Sequence, residues 1–447
     1  MTVLQLLIRN LSYYWRTNLA VIAGVIAATA VIGGALVVGD SVRDSLKQMS
    51  LDRLGKIDHA INGPRFFRQE LAEELENASE LAVKAAPVLI MRGTLEFEPS
   101  QEDDVNEAES ESVAPVMNRV GQVNVYGLTD SAWGLLETGD VAVPGETEIV
   151  LNRSVADQLH ANVGDEVSLI VEIPATIPRD SLLGERNETI AALPVTVSAI
   201  TADELGVSRL GLNPNQQLPT NAYVNLGELQ ALVGLQEVER SKLNPIAKPA
   251  RINGTFIAAA RTEAVSDPLS LGSADTLTSS LKSQLTLEDL SLRLVQNEEH
   301  GYLSLESEQM FLEESVSDAA LRTAEQMGVD TSPVLVYLLN EIRKPETPDQ
   351  FSMYSVIAGI EPTDATPFGP FEFVGEHEPL TGNNVYLNHV VAEDIGAGVN
   401  DTINVKYHVV GDRGELPEDE RQFHVAGIVK LAGVVDETGY TAKVSGV

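Results

Sequence analysis

Between Leu19 and Val38 the chain reads LAVIAGVIAATAVIGGALVV, twenty residues without a charge. At about 1.5 Å per helical residue such a run covers about 30 Å, the thickness of a hydrocarbon core. It therefore reads as a transmembrane helix, and its flanks agree. Residues 2–15, TVLQLLIRNLSYYW, place Val3, Leu4, Leu7, Leu11 and Tyr14 at helical spacing. Tyr13, Tyr14 and Trp15 stand just before the run, where amphipathic rings prefer the headgroup level. Residues 1–18 are thus expected to be an interfacial amphipathic segment lying on membrane lipid, and 19–39 the transmembrane helix.

Charge orients the span. Arg9 and Arg16 precede it with no acidic residue nearby, whereas Asp40, Arg43, Asp44 and Lys47 mix signs beyond it. The cleaner basic flank predicts a cytoplasmic N-terminus and an extracytoplasmic bulk. A cleaved signal peptide is the rival, because Ala28-Thr29-Ala30 imitates a cleavage site. The apolar run, however, is longer than a usual signal core and continues past that point. Gly24, Gly33 and Gly34, with Ala27, Ala28 and Ala35, offer small side chains to a neighbouring helix. After the span, Val42, Leu46, Met49 and Leu54 form one helical stripe, so the helix is expected to project as a stalk.

The remainder is acidic. The 447 residues carry a formal charge of −36, and Arg9 and Arg16 against Asp40 leave the first 40 at +1, so the other 407 hold −37. Such a surface repels nucleic-acid backbones, and no nucleic-acid partner is expected. A hydrophobic content of 43% excludes wholesale disorder, and the length predicts two to three domains. Absence of Cys excludes disulfides, thiolate metal sites and Cys nucleophiles.

Residues 66–84 have helical spacing, Ala85 to Leu95 reads as a strand interrupted by Pro87, and 96–112 is a polar, like-charged loop. Beyond 120 short strands dominate. Glu148 to Leu151 predicts a strand, Asn152 a helix cap, Ser154 to Leu159 a short helix, Val163-Gly164-Asp165 a turn, and Glu166 to Val171 a second strand. The order returns at 384–407. A shift of 236 matches Leu151, Asn152, Val155, Ala156, Ala161, Val163 and Asp165 with Leu387, Asn388, Val391, Ala392, Ala397, Val399 and Asp401, seven identities in 24 ungapped positions. VNVYGL and YSVIAGI precede the two copies; LPVTVSAI and RQFHVAGI follow them. Asn400 replaces Gly164, so the second turn is expected to differ.

The expected fold is α+β: an N-terminal transmembrane helix with a helical stalk, then two related β-rich α+β modules. The boundaries are 40–112 for stalk, first elements and acidic loop, 113–260 for the first module, 261–331 for a helical connector with helices near 284–296 and 306–327, and 332–447 for the second module.

RNLSYYWRTNLAVIAGVIAATAVIGGALVVGDSVRDSL, together with IVLNRSVADQLHANVGDEVSLIV and TNAYVNLGELQALVGL, resembles the FtsX-like, MacB-like permease subunits of ABC transporters. The likeness covers residues 5–50 well and the two modules in pattern. It implies a bacterial inner (cytoplasmic) membrane location, a homo- or hetero-dimer of permease subunits, and a separate cytoplasmic ATP-binding subunit that hydrolyses ATP. Motion would pass through the stalk to the external region, for export, lipoprotein release or control of a cell-wall enzyme. Members carry four membrane helices, so further spans are expected to be encoded after Val447. The residues to watch are Arg9 and Arg16 for orientation, Gly33 and Gly34 for helix contact, and 40–54 for the stalk.

The residues offer no reaction centre, and no catalytic, cofactor-binding or metal-binding residue is expected. A phosphate-binding Gly-rich loop with its Lys is missing. The seven His residues show no paired ligand spacing, His377 and His389 included. Gly39-Asp40-Ser41 sits in a helical pattern at the membrane exit, and Glu102-Asp103-Asp104 lacks the alternation of a calcium loop. Asn253-Gly254-Thr255 is formally a glycosylation acceptor. The chain is thus expected not to be an enzyme. The alternative function is a membrane-anchored extracytoplasmic binding or adhesion protein; an extracytoplasmic hydrolase would require converging acid and base groups in one module.

Overall fold

Alternating Leu, Ile, Val and Ala without proline let a helix run far past the apolar stretch. The computed structural model describes residues 3–78, 83–99, 117–173, 190–212, 218–240, 247–259, 274–309, 311–409 and 417–436. Helix α1 (Val3–Tyr13) ends at Tyr14, whose φ of −98° and ψ of 27° leave the helical region, and α2 (Trp15–Asp52) follows for 38 residues. Tyr14 N still donates to Asn10 O at 3.0 Å and Asn18 N to Tyr14 O at 2.9 Å, so the break is a kink. Gly39 does not interrupt α2: one glycine costs a helix only about 1 kcal/mol. The apolar stretch and the stripe that follows it, bounded at residue 40 in the sequence, are therefore one element. Residues 15–49 of it are long and apolar enough to cross a membrane, and none of the apolar window is buried.

The chain is a mixed α+β protein with a β-rich remainder, and it divides into two compact units. The first comprises Met1–Pro64, Gln69–Val171 and Ala192–Ser283; the second comprises Arg65–Arg68, Glu172–Ala191 and Gln284–Val447.

After α2 come β1 (His59–Arg68), α3 (Glu70–Ala78), β2 (Val83–Phe97), β3 (Asn118–Leu128), α4 (Asp130–Trp133), β4 (Glu148–Asn152), α5 (Arg153–Leu159), β5 (Glu166–Glu172) and β6 (Ile190–Thr201). Then follow β7 (Asn221–Asn225), α6 (Leu226–Val233), β8 (Arg251–Ala259) and α7 (Ala274–Gln284). Phe66–Arg68 extend β1, so the helix expected over 66–84 is shorter, and β2 runs unbroken through Pro87, which pairs with Thr255.

The sheet order is β1-β8-β2-β3-β7-β4-β6-β5, and β5 also pairs back onto β2. Six strands, β2-β3-β7-β4-β6-β5, thereby close a ring and leave no free edge among themselves. Long β2 makes closure possible: residues 83–88 pair with β8 and 93–96 with β5. Gly93 sits at the changeover, where a Cβ would lie 2.9 Å from Ile170 O and 3.0 Å from Val125 Cγ2. Only a bare backbone fits there. The Asn253 side chain bonds both the N and O of Ile90 at 2.8 Å, and Thr255 is buried. The formal glycosylation triplet is thus part of the sheet interior.

Asn152 caps α5 as expected, its Oδ1 accepting from Val155 N at 3.1 Å. The following turn binds Gly164 N to Val197 O and Val197 N to Asp165 O, and Asn162 N donates to Asp165 Oδ2. β4 and β6 are parallel with a register slip between Ile149 and Val150.

The second unit holds β9 (Leu292–Asn297), β10 (Tyr302–Ser307), α8 (Glu314–Met327), β11 (Val334–Leu338), β12 (Glu341–Arg343), β13 (Phe351–Met353) and β14 (Val356–Ile360). β15 (Asn384–Asn388), α9 (His389–Asp394), β16 (Thr402–His408) and β17 (Glu418–Val429) complete it. The stretch expected to be a helical connector contains α7 and α8, but 284–296 is not a helix. A short 3-10 turn, Glu288–Leu290, leads into β9, which pairs antiparallel with β10 around positive-φ Gly301. Leu290, Leu292 and Leu294 satisfy alternation as well as helical spacing, and pairing decides between them.

Strands β13-β12-β16-β17-β15 form one sheet and β11-β14 another. Asn388 Oδ1 accepts from Val391 N at 2.8 Å, and β15 runs parallel to β17 with a slip between Val385 and Tyr386. Asn400 takes φ 73°, and its N–H donates to Val425 O at 2.8 Å. The second turn therefore does not differ in kind from the first: asparagine tolerates the left-handed conformation that Gly164 adopts at φ 99°.

Candidate functional site

The root of α2 is packed into the core of the first unit. Arg53 and Ile57 are buried, and Leu54 packs against the core that Ile57 joins with Trp133, Leu135, Leu136, Tyr126 and Tyr223. Between them Gly55 turns the chain at φ 62°. A Cβ on Gly55 would lie 2.9 Å from Leu135 O, 3.2 Å from Glu137 N and 3.4 Å from Leu136 Cα. Lys56 fastens the turn twice, its N–H donating to Leu135 O at 2.9 Å and its Nζ to Gly134 O at 3.0 Å. Asp58 then docks on β8: its N–H donates to Ile257 O at 3.0 Å, and Ala259 N donates to its Oδ2 at 2.8 Å.

A relay of polar contacts continues inward. Val207 N donates to Glu137 O at 3.2 Å, so the 3-10 turn Gly206–Arg209 holds the loop that grips the root. Gly206 touches the helix end itself; its Cβ would be 3.1 Å from Asp52 O. That turn is held in the ring by buried Asn152, Asn221 and Tyr223. Asn152 Nδ2 donates to Ser208 O at 3.0 Å and to Pro219 O at 2.6 Å, while its Oδ1 also accepts from Asn221 N at 3.3 Å. Asn221 Nδ2 donates to Leu210 O at 2.8 Å and to the Tyr223 hydroxyl at 3.1 Å, and that hydroxyl donates to Val207 O. Buried polar groups satisfied this fully fix one arrangement of the loops around them.

Tyr223 stacks on Tyr126 with ring centroids 5.4 Å apart and meets Trp133 edge-on at 5.6 Å. Burial pushes the Tyr126 phenol up to about 12, against the opposing pull of Arg92, and raises Tyr223 as well. Both phenols stay neutral near neutrality, so this root does not respond to pH through them. Hydrogen bonds and close backbone packing thus join α2, the 134–137 loop, the 206–209 turn and the ring.

The second unit has its own polar anchors. Asp289 accepts from Arg68 N at 3.0 Å, Nε at 3.1 Å and Nη2 at 3.0 Å, and from Thr286 N and Oγ1 at 2.9 Å. Burial alone would raise its pKa, but these hydrogen bonds outweigh it and hold the carboxyl below its ordinary value. Asp401 is lowered by the Gly398 amide and by Lys344, whose Nζ lies 2.7 Å away.

The residues singled out in the sequence are not brought together. Arg9 and Arg16 are exposed on α1 and α2, Arg16 lying 5.5 Å over the Trp15 ring. Gly33 and Gly34 have no atom within 4 Å of a built Cβ. Asp40 faces Arg43 at 3.6 Å within α2. His377 stacks on Phe373 at 3.7 Å, whereas His389 Nδ1 accepts from Leu431 N at 3.4 Å. Among the described residues no group of three or more His, Asp or Glu is placed to hold a metal ion. Glu102-Asp103-Asp104 and most of the acidic 96–112 loop lie outside the described residues. The sequence reading missed Gly55, Asn221 and Tyr223. An Asn before a run as apolar as AYV was a signal for a buried amide, but its partners are distant in sequence. No protein-family model and no curated protein matches the chain.

Proposed function

We propose that this chain is a noncatalytic, permease-type subunit that crosses the membrane with α2 and passes motion to an external β-rich region. The observation that carries this reading is the uninterrupted α2, from the interfacial kink at Tyr14 to a root clamped in the first unit's core. An anchor that only tethers has no need of a helix rigid up to the domain and locked into it. A cleaved leader would lose most of α2 and leave that root without a lever. The N-terminus is cytoplasmic, where Arg9 and Arg16 stand, and ATP is hydrolysed by a separate subunit acting on a dimer of such chains. The resemblance to FtsX-like, MacB-like permeases points the same way.

The external region is two related modules, and strand register supports this. Val88↔Leu128 to Arg92↔Asn124 in β2–β3 has the same form as Val334↔Ile360 to Leu338↔Val356 in β11–β14. Leu95 pairs with both Val120 and Leu169; Ile342 pairs with both Ser352 and Val405. Asparagine caps, register slips and positive-φ turns recur at the shift of 236.

The chain's lack of cysteine makes topology directly readable. Ser12→Cys and Asp318→Cys are each labelled in intact cells with a membrane-impermeant maleimide. Asp318→Cys should label from outside and Ser12→Cys only after permeabilisation. Outside labelling at 12, or a mature chain lacking residue 12, would overturn the orientation or the retained helix. Extraction in mild detergent should bring an ATP-binding subunit with the chain. Purification without one would favour the anchored binding protein.

A further inference from the structure

Helix α1 carries an apolar face that the fold does not cover. None of its residues is buried, although Val3, Leu4, Leu6, Leu7, Ile8 and Leu11 are apolar. At about 100° per residue, Val3, Leu7, Leu11, Leu4 and Ile8 fall on one arc of about 140°, and Gln5, Arg9 and Ser12 lie opposite. A helix of 11 residues is marginal in water by itself, so this face requires an apolar surface to lie on.

The junction with α2 fixes where that surface must be. Asn18 Nδ2 reaches back across the kink at Tyr14 to Leu11 O at 3.4 Å, beside the backbone bonds from Tyr14 to Asn10 and from Asn18 to Tyr14. Immediately after Asn18 the uncharged run of α2 begins, so the bonded kink keeps α1 next to the start of the span. Tyr13 and Tyr14 meet edge-on at 4.9 Å, and Arg16 lies over the Trp15 ring, a set of amphipathic groups suited to the headgroup level. Arg9 and Arg16 are both exposed, and no acidic residue stands between Val3 and Gly39 to neutralise them.

We propose that α1 lies on the cytoplasmic leaflet with Leu4, Leu7, Ile8 and Leu11 among the acyl chains, and that Arg9 and Arg16 hold the phosphates of anionic phospholipids there. This rests on the reading of α2 as a retained span with a cytoplasmic N-terminus. A lipid surface is the occupant, and not a partner helix, because the kink holds the apolar face beside the bilayer and the uncompensated charge is positive. Guanidinium forks match phosphate oxygens, and each basic side chain near an anionic leaflet strengthens binding by about fivefold.

The chain's lack of cysteine allows single labels in the full chain. Gln5→Cys and Ile8→Cys, each carrying a fluorophore, are reconstituted in vesicles of equal parts phosphatidylcholine and phosphatidylglycerol, with one lipid or the other brominated. The fluorophore at 8 should be quenched by brominated acyl chains and shielded from aqueous iodide, and the one at 5 should show the reverse. Quenching at 8 should be at least about twofold stronger when phosphatidylglycerol is the brominated lipid, a difference that disappears in Arg9→Gln/Arg16→Gln. Equal access of iodide to both positions would take α1 off the membrane and overturn the inference. Shielding at 8 without quenching by either lipid would mean that a protein covers the face, and would overturn it too. Equal quenching by the two lipids in the parent would refute anionic recognition, and a preference surviving in the double variant would refute the role of the two arginines. None of these results touches the orientation of α2 or its retention, which maleimide labelling reads separately.

Discussion

Gly55→Val is expected to destabilise the first unit by about 3 kcal/mol, through about 1–2 kcal/mol for a left-handed backbone and a similar cost for overpacking. The three atoms a side chain would meet all belong to the backbone of Leu135, Leu136 and Glu137, so no rotamer change relieves the contact. Gly206→Ala at the same junction should cost less, since its φ is not left-handed and its nearest contacts are 3.1 Å away. Both can be followed by Trp133 fluorescence in denaturant, because the chain's other tryptophan, Trp15, lies on α2. Equal midpoints for Gly55→Val and the parent chain would refute the claim that this turn is tightly held.

Asp289→Ala should cost the second unit about 3–5 kcal/mol, the usual penalty for removing one partner of a buried ion pair. The carboxylate is fully enclosed and Arg68 only 13% exposed, so water cannot replace the lost bonds cheaply. The same group predicts a pH dependence. Its folded pKa is lowered, so its contribution is present above the unfolded carboxylate pKa of about 3.9 and is lost as pH falls through the folded value. Hydrogen exchange of the β9–β10 hairpin should show the parent loosening only in acid and Asp289→Ala loosened already at neutral pH. A hairpin equally protected in the two at pH 7 would show that the pair contributes nothing.

Much of the local structure was legible because it depends on neighbours in sequence. Asn152 and Asn388 announce helix caps, and Val163-Gly164-Asp165 announces a turn whose αL position Asn400 can also take. The apolar run from Leu19 is similarly unambiguous by length. Contacts made at long range were not legible. Nothing near Gly55 says that the 134–137 loop will press against it, and nothing near β2 says that β5 will return to close a ring. The 292–307 hairpin was misread because its leucines fit two periods. As for the candidate site, the helix and stalk stripe could be read, but the asparagine–tyrosine relay beneath them could not.

The 38-residue α2 is a screw as well as a rod. From Gly39 to Asp52 it rises about 20 Å, so a tilt of about 10° about Gly39 would swing the root sideways by about 3.5 Å. Removing one residue from this stretch would lower the root by about 1.5 Å and turn it by about 100°. Stalk length is thereby tied to angular phase: a change of about seven or about eleven residues brings the first unit back to its heading to within about 20°, and a change of one or two does not.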